Sequence, residues 1–174
     1  NCEEKCPLSF ADDILNMVVA ARNEMVEMPL LPSPVKDYLK NVQLHGNPYG
    51  MGAKKRGQWM ADLSVESYTD QEYLFFVGSE GSYDARAQEA VRALAGVLQS
   101  AGVSFGVLGS EETDDGNEVQ LLGEDGLFEV LAEQNIQLWN KRGVKKIITF
   151  SPHSFNAIKN RYPAQGGQFE VYHY

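Results

Sequence analysis

From Glu72 onward, short apolar runs alternate with longer stretches of helical periodicity, and this alternation limits the possible folds more than any other feature of the chain. The apolar runs Tyr73 to Val77, Val103 to Leu108, Lys145 to Phe150 and Phe169 to Tyr172 are expected as strands. Between them lie three expected helices. Asp84 to Ala101 carries Ala87, Val91, Leu94, Leu98 and Ala101 on one stripe and stops at Gly102. Leu121 to Arg142 ends on Lys141 and Arg142, placed well against the helix dipole, before Gly143. Pro152 to Arg161 is the third. Strands that alternate with helices pair in parallel through right-handed crossovers. The expected class is therefore α/β, an open parallel sheet with flanking helices.

The residues before this unit read differently, as a helical extension. Ile14, Met17, Val18, Ala21 and Met25 recur at helical spacing between Leu8 and Met28, and Pro29, Pro32 and Pro34 stop that helix. A short helix is expected around Val35 to Leu44, followed by the turn-rich connector Gly46-Asn47-Pro48-Tyr49-Gly50. Cys2 and Cys6 stand in Cys2-Glu3-Glu4-Lys5-Cys6-Pro7. That is the final C-x3-C-P of a bacterial ferredoxin run whose first two cysteines would lie upstream of residue 1. Two free thiols in a frayed terminus are the alternative, and a half-site cannot hold a four-iron cluster by itself. The expected organisation is residues 1–12 as a ferredoxin-like remnant, 13–70 as helical extension and connector, and 71–174 as the α/β domain.

Composition narrows the function. A hydrophobic fraction of 43% supports a real core, and a net charge of −9 argues against nucleic acid, which needs a basic face. The basic cluster Lys54-Lys55-Arg56 reads as a solvated turn or a partner contact. No apolar run is long enough to span a membrane and no signal pattern opens the chain, so a cytoplasmic location is expected.

In open parallel sheets ligands bind beyond the carboxyl ends of the strands. Three segments meet that rule: Gly78 to Ser82, Gly109 to Asn117, and Ser151 to Ser154. Several chemistries are open to them. Gly78-x-x-Gly81 before a helix could cradle a phosphate, although the lysine of a P-loop is missing. Ser151-Pro152 and Asp84 suit helix starts. Asp114 and Asp115 with His153 could form a hard-metal site, but neighbours in an extended segment point opposite ways. Ser79 or Ser154 with His153 and Asp114 would give a hydrolytic triad, without the G-x-S-x-G spacing of a nucleophile elbow.

The same three segments carry a resemblance. Val77-Gly78-Ser79-Glu80-Gly81-Ser82-Tyr83-Asp84, Gly109-Ser110-Glu111-Glu112-Thr113 with Asp114-Asp115-Gly116, and Ser151-Pro152-His153-Ser154-Phe155-Asn156 resemble the cysteine-rich (CCG) domain of heterodisulfide reductase-like iron–sulfur proteins. Leu131-Ala132-Glu133-Gln134-Asn135-Ile136 and the upstream C-x3-C-P helix resemble it too. In that family the cluster cysteines would stand at Ser79, Asp114, Asp115, Ser151 and Ser154. The resemblance implies an iron–sulfur oxidoreductase subunit with 4Fe–4S clusters. It also implies redox partner subunits, namely an electron-transfer flavoprotein or a membrane quinone-reducing subunit that would hold it peripheral to the inner membrane. Serine and aspartate are hard oxygen ligands where a cluster needs soft thiolate. This repeat is therefore expected to bind no cluster, to be inactive by itself, and to act as a scaffold or docking module. A small hydrolase or divalent-metal enzyme is the alternative.

Overall fold

A computed structural model describes Lys5, Pro7 and residues 13–28 and 30–174. Cys2 and Cys6, the expected ferredoxin-like pair, lie outside the described residues. Four strands, β1 (Tyr73–Phe76), β2 (Phe105–Gly106), β3 (Lys146–Thr149) and β4 (Glu170–His173), form one sheet in the order β2-β1-β3-β4. All pairings are parallel, as the alternation predicted. The helices are α1 (Ile14–Glu27), α2 (Ser33–His45), α3 (Gly78–Tyr83), α4 (Ala85–Ser100), α5 (Asn117–Leu121), α6 (Asp125–Lys141) and α7 (Pro152–Asn156).

Side chains alternate across each strand, so the sheet separates two cores. On one face Leu74, Phe76, Ile147 and Val171 pack with Phe128, Leu131, Ala132, Ile136 and Trp139 of α6 and with Leu39 and Val42 of α2. On the other, Phe75, Val77, Phe105, Val107 and Ile148 meet Val91 and Ala95 of α4 and the indole of Trp59. Asp84 caps α4 by accepting hydrogen bonds from the N–H groups of Arg86 and Ala87, as expected from the sequence.

Four local expectations are corrected. The stretch Gly78 to Ser82 is helical rather than a loop. The second strand shortens to two residues, because Leu108 leaves the extended conformation (φ −84°, ψ −19°) to open the turn Gly109–Glu111, while Val107 pairs outward with Glu66 O and the Tyr68 N–H. The helix expected from Leu121 begins only at Asp125, because the short helix α5 ends at Leu121 and the chain turns at Gly123, whose φ is +95°. There α1 approaches so closely that a Cβ on Gly123 would sit 2.4 Å from the Arg22 carbonyl carbon. The last expected helix stays α-helical only to Asn156 and continues as a π-turn over Ala157–Arg161.

Helix α1 holds a further surprise. Asn16, Val19, Ala20 and Asn23 border the body near Gln120 and Arg161, and Arg22 Nη1 donates to Leu121 O at 2.6 Å. The apolar stripe that predicted the helix points the other way, with Met17 56%, Val18 40% and Met25 40% exposed and Ile14 half-buried.

Candidate functional site

The carboxyl ends of β1, β2 and β3 converge, as the parallel topology requires, on a cavity of about 290 Å³. Ser79, Asp114, Asp115, Ser151 and His153 line it together with Tyr38, Tyr49 and Glu118. Ser154 lies directly behind, bonded to one of the aspartates.

Two serine–aspartate pairs organise the site. Ser79 Oγ donates to Asp114 Oδ2 at 2.7 Å, joining the β1 end to the β2 end. Ser154 Oγ donates to Asp115 Oδ2 at 2.6 Å, joining the β3 end to the β2 end. The second carboxylate oxygens accept backbone N–H groups, Gly116 N on Asp114 at 2.9 Å and Asn117 N on Asp115 at 2.8 Å. These are two consecutive turns rather than an extended strand, so both aspartates line one cavity while reaching serines on opposite sides. Gly116 permits this with φ +77° and a Cβ position only 2.8 Å from Phe128 Cδ2. The peptide carbonyls are held from below: Asn135 Nδ2 donates to Asp114 O at 3.0 Å and Tyr162 Oη donates to Asp115 O at 3.1 Å.

Two residues that sequence reasoning missed frame this arrangement. Arg56, read from the sequence as part of a solvated basic turn, is 2% exposed. Its Nη1 donates to Glu112 Oε1 at 2.9 Å, its Nη2 to Gly46 O at 2.8 Å and to Ser79 Oγ at 3.3 Å, and its guanidinium lies 5.2 Å over the Tyr83 ring. Glu112 accepts also from Gly78 N at 2.9 Å and Val77 N at 3.1 Å. The Gly78 N–H is thus engaged by a carboxylate, which removes it from the phosphate cradle considered from the sequence. Nothing local in the sequence separates Arg56 from Lys54 and Lys55. The only signal was Glu112 itself, a carboxylate beyond a strand end that must find donors.

Burial dominates the electrostatics. The Asp115 carboxyl is pushed up to about 7, first by desolvation and then by the charge of Asp114. Desolvation also raises Asp114, against the lowering effect of the Ser79 hydrogen bond. Glu112 rises by burial, opposed by Arg56 and the two backbone N–H donors. The Tyr38 phenol is raised by burial and then by Asp114 and its acidic neighbours. Two adjacent buried carboxyls of this kind retain a proton near neutral pH.

The alternative chemistries fare poorly. His153 is exposed, and its Nδ1 pairs with Glu118 rather than with Ser79 or Ser154. Both serine hydroxyls donate to aspartates, so neither has the histidine partner that a triad needs. Ser151 caps α7, accepting from His153 N at 3.1 Å. Among the described residues no group of three or more His, Cys, Asp or Glu side chains is placed to hold a metal ion. A larger groove of about 600 Å³ lies between α2 and α6, floored by Leu39, Val42, Leu127 and Leu131, with Gly46 and Thr113 at its rim.

No family model and no solved structure matches the chain. Curated relatives do. The chain is 37% identical, over its whole length, to a probable iron–sulfur-binding oxidoreductase FadF of Bacillus subtilis, of which it covers 26%. It is 38% identical, over 99% of its length, to the EtfAB:quinone oxidoreductase of Syntrophomonas wolfei, of which it covers 25%. It is 30% identical, over 88% of its length, to one of the subunits of the dihydromethanophenazine:CoB–CoM heterodisulfide reductase of Methanosarcina mazei, of which it covers 39%. The chain thus spans a quarter to two fifths of the length of these relatives.

Proposed function

Because this chain is a homologue of heterodisulfide reductase-like iron–sulfur oxidoreductase subunits along nearly all of its length, we propose that it serves such an electron-transfer subunit as a cluster-free scaffold and docking unit. The observation that carries this reading is the pair of Ser–Asp hydrogen bonds, Ser79 to Asp114 and Ser154 to Asp115. They stand at the positions where the resemblance puts cluster ligands. An iron–sulfur cluster takes soft, deprotonated thiolates. Here the donor atoms are oxygens, the two hydroxyls spend their protons on carboxylates, and Ser151 caps a helix. The residues present do not fit a cluster.

What the pairs do instead is mechanical. They tie the three strand-end segments to each other, while Arg56, Asn135 and Tyr162 anchor them to the rest of the fold. The α/β unit, residues 71–174, keeps the shape of a cluster-binding repeat without the cluster. Electron transfer through 4Fe–4S centres then belongs to other parts of the parent subunit, with Cys2 and Cys6 contributing to one of them. The partners are other redox subunits, an electron-transfer flavoprotein or a membrane quinone-reducing subunit. The name of the Syntrophomonas relative supports this choice. No helix among the described residues is long and apolar enough to cross a membrane; peripheral association through a partner subunit goes with this reading.

The test is iron and acid-labile sulfide content, with a visible spectrum, on protein purified without oxygen. Neither should be present in whole-cluster stoichiometry. Stoichiometric iron and sulfide that persist in a Cys2→Ser, Cys6→Ser double variant would overturn the reading, because only the oxygen ligands would remain to hold them.

A further inference from the structure

The two serine–aspartate pairs are alike in form and differ in what stands behind them. On the β1 side the Ser79 to Asp114 bond is backed by a cation. Arg56 Nη2 lies 3.3 Å from Ser79 Oγ, and its charge opposes the burial that raises Asp114. Helix α3 is also pinned at its start, where Glu112 accepts from Val77 N and Gly78 N. Asp114 is further held through its N–H by Gly46 O and through its C=O by Asn135.

On the β3 side the charges around the tie are negative. Asp115 is 6% exposed, and Asp114 and Glu118 add their charge to the burial that raises its carboxyl. Tyr38 and Tyr162 also face it, and burial together with the aspartates keeps both phenols neutral. The cation on that side, Arg161, donates to Gln120 Oε1 at 2.8 Å and forms no ion pair among the described residues. The segment tied to Asp115 is short. Helix α7 reaches the β2 side through Ser154 to Asp115 at 2.6 Å, through Asn156 Nδ2 to Asn117 Oδ1 at 3.1 Å, and through His153 to Glu118. Beyond it Ala157 and Ile158 are fixed in the core at 0% and 1% exposure, which confines any movement to Ser151 through Asn156.

We propose that the Ser154–Asp115 tie is a proton-dependent latch: with a proton on Asp115, α7 is held against the β2 side, and with Asp115 ionised the segment Ser151 to Asn156 opens while α3 stays in place. An ionised Asp115 is a second buried negative charge beside Asp114, and opening returns it to water. The protonated carboxyl lacks that charge and donates to Ser154 Oγ, so the tie persists with its direction reversed. His153 acts in the same sense, since a protonated imidazole attracts the Glu118 carboxylate most strongly. Burial sets the direction of the pH effect. The carboxyl lies at about 7 in the closed form against 3.8 in water, so opening becomes easier by up to about tenfold per pH unit between those values and no easier above them. The latch deepens the scaffold reading and rests on it, because it needs these oxygens free of metal.

Amide hydrogen exchange of the metal-free 174-residue chain tests it, with protection corrected for the intrinsic rate at each pH. The probes are the amides of Phe155 and Ala157, which donate to Ser151 O and His153 O. From about pH 5 to about pH 7 their protection should fall by about tenfold per unit and then level off. Amides of α3 should change by less than about threefold over the same range. Asp115→Asn, whose amide donates to Ser154 as the protonated acid does, should hold α7 closed and flatten the profile. His153→Gln should keep most of the slope. A fall shared equally by α3 and α7, protection that ignores pH, or a slope undiminished in Asp115→Asn would each overturn the proposal. So would a slope lost in His153→Gln and kept in Asp115→Asn, which would put the proton on the imidazole. None of these outcomes alters the iron and sulfide content, so the latch and the cluster-free reading fail separately.

Discussion

Replacing Arg56 by leucine should cost far more than its place in the Lys54-Lys55-Arg56 cluster suggests. Arg56 and Glu112 are each 2% exposed at the side chain and 2.9 Å apart. Removing the guanidinium leaves a buried carboxylate with two backbone N–H donors and no counter-charge. Breaking a buried pair in this way costs about 3–5 kcal/mol. For a chain of this size, each kcal/mol lowers Tm by roughly 2–4 °C, so a drop on the order of 6–20 °C follows. Urea unfolding can be read by fluorescence, because Trp59 and Trp139 are both buried at 3% and 0% exposure. Lys54→Leu and Lys55→Leu serve as controls; both side chains are exposed and should change stability by less than about 0.5 kcal/mol. Acidification adds a second check. In Arg56→Leu, Glu112 keeps the burial that raises its pKa and loses the cation that opposed it. The carboxyl's cost is present above its folded pKa and disappears as pH falls toward its unfolded value, so the deficit of the variant should shrink in acid. A loss below about 1 kcal/mol, or one independent of pH, would show that Arg56 behaves as a surface charge and does not frame the site.

Two further perturbations probe the site and the extension. Asp115 is raised to about 7 from 3.8, so the folded state holds more protons than the unfolded state between those values and stability should fall as pH rises through that window. Urea midpoints at pH 5 and pH 8 measure it, and Asp115→Asn should flatten the difference; a midpoint that climbs with pH would contradict the burial argument. Gly123→Ala forces a Cβ into the Arg22 backbone at a φ of +95°, costing about 1–3 kcal/mol. Amide exchange across Ile14–Glu27 should quicken as α1 is pushed off, and unchanged protection there would mean that the close approach is not what positions the helix.

The parallel sheet was legible because each strand is an apolar run between amphipathic helices, a pattern that depends only on near neighbours. The same holds for the caps at Asp84 and Ser151, where residue type and position decide the local geometry. The strand-end rule also brought Ser79, Asp114, Asp115, Ser151 and His153 to one cavity. What escaped were the long-range partners. Arg56 meets Glu112 across 56 positions and Asn135 meets Asp114 O across 21, and no local pattern encodes either contact. The break at Gly123 depends on α1, about a hundred residues upstream. Periodicity found the stripe of α1 correctly but could not say which side faces the body, because that is settled by Arg22 and Asn23 finding partners at Leu121 and Asp125.

The Ser–Asp pairs are physically interdependent, and this bears on what the site is for. A buried carboxylate is tolerated only with donors, so Asp114 without Ser79, or Asp115 without Ser154, would carry an added desolvation penalty. Both aspartates come from the segment after β2, and each serine from a different helix that follows a neighbouring strand, Ser79 in α3 and Ser154 in α7. The four side chains therefore form two cross-ties that share a centre. Unrelated oxygen substitutions would leave some of these groups buried without partners, yet both serines and both aspartates are satisfied here. Nor does the outer frame depend on the cavity holding anything, since Arg56 and Glu112 satisfy each other and Asn135 and Tyr162 grip the β2 loop from behind. A site built to turn over substrate keeps a nucleophile or a donor free to engage it. At these positions the hydrogen bonds run between the three strand-end segments and hold them in register, as the scaffold reading proposed above requires.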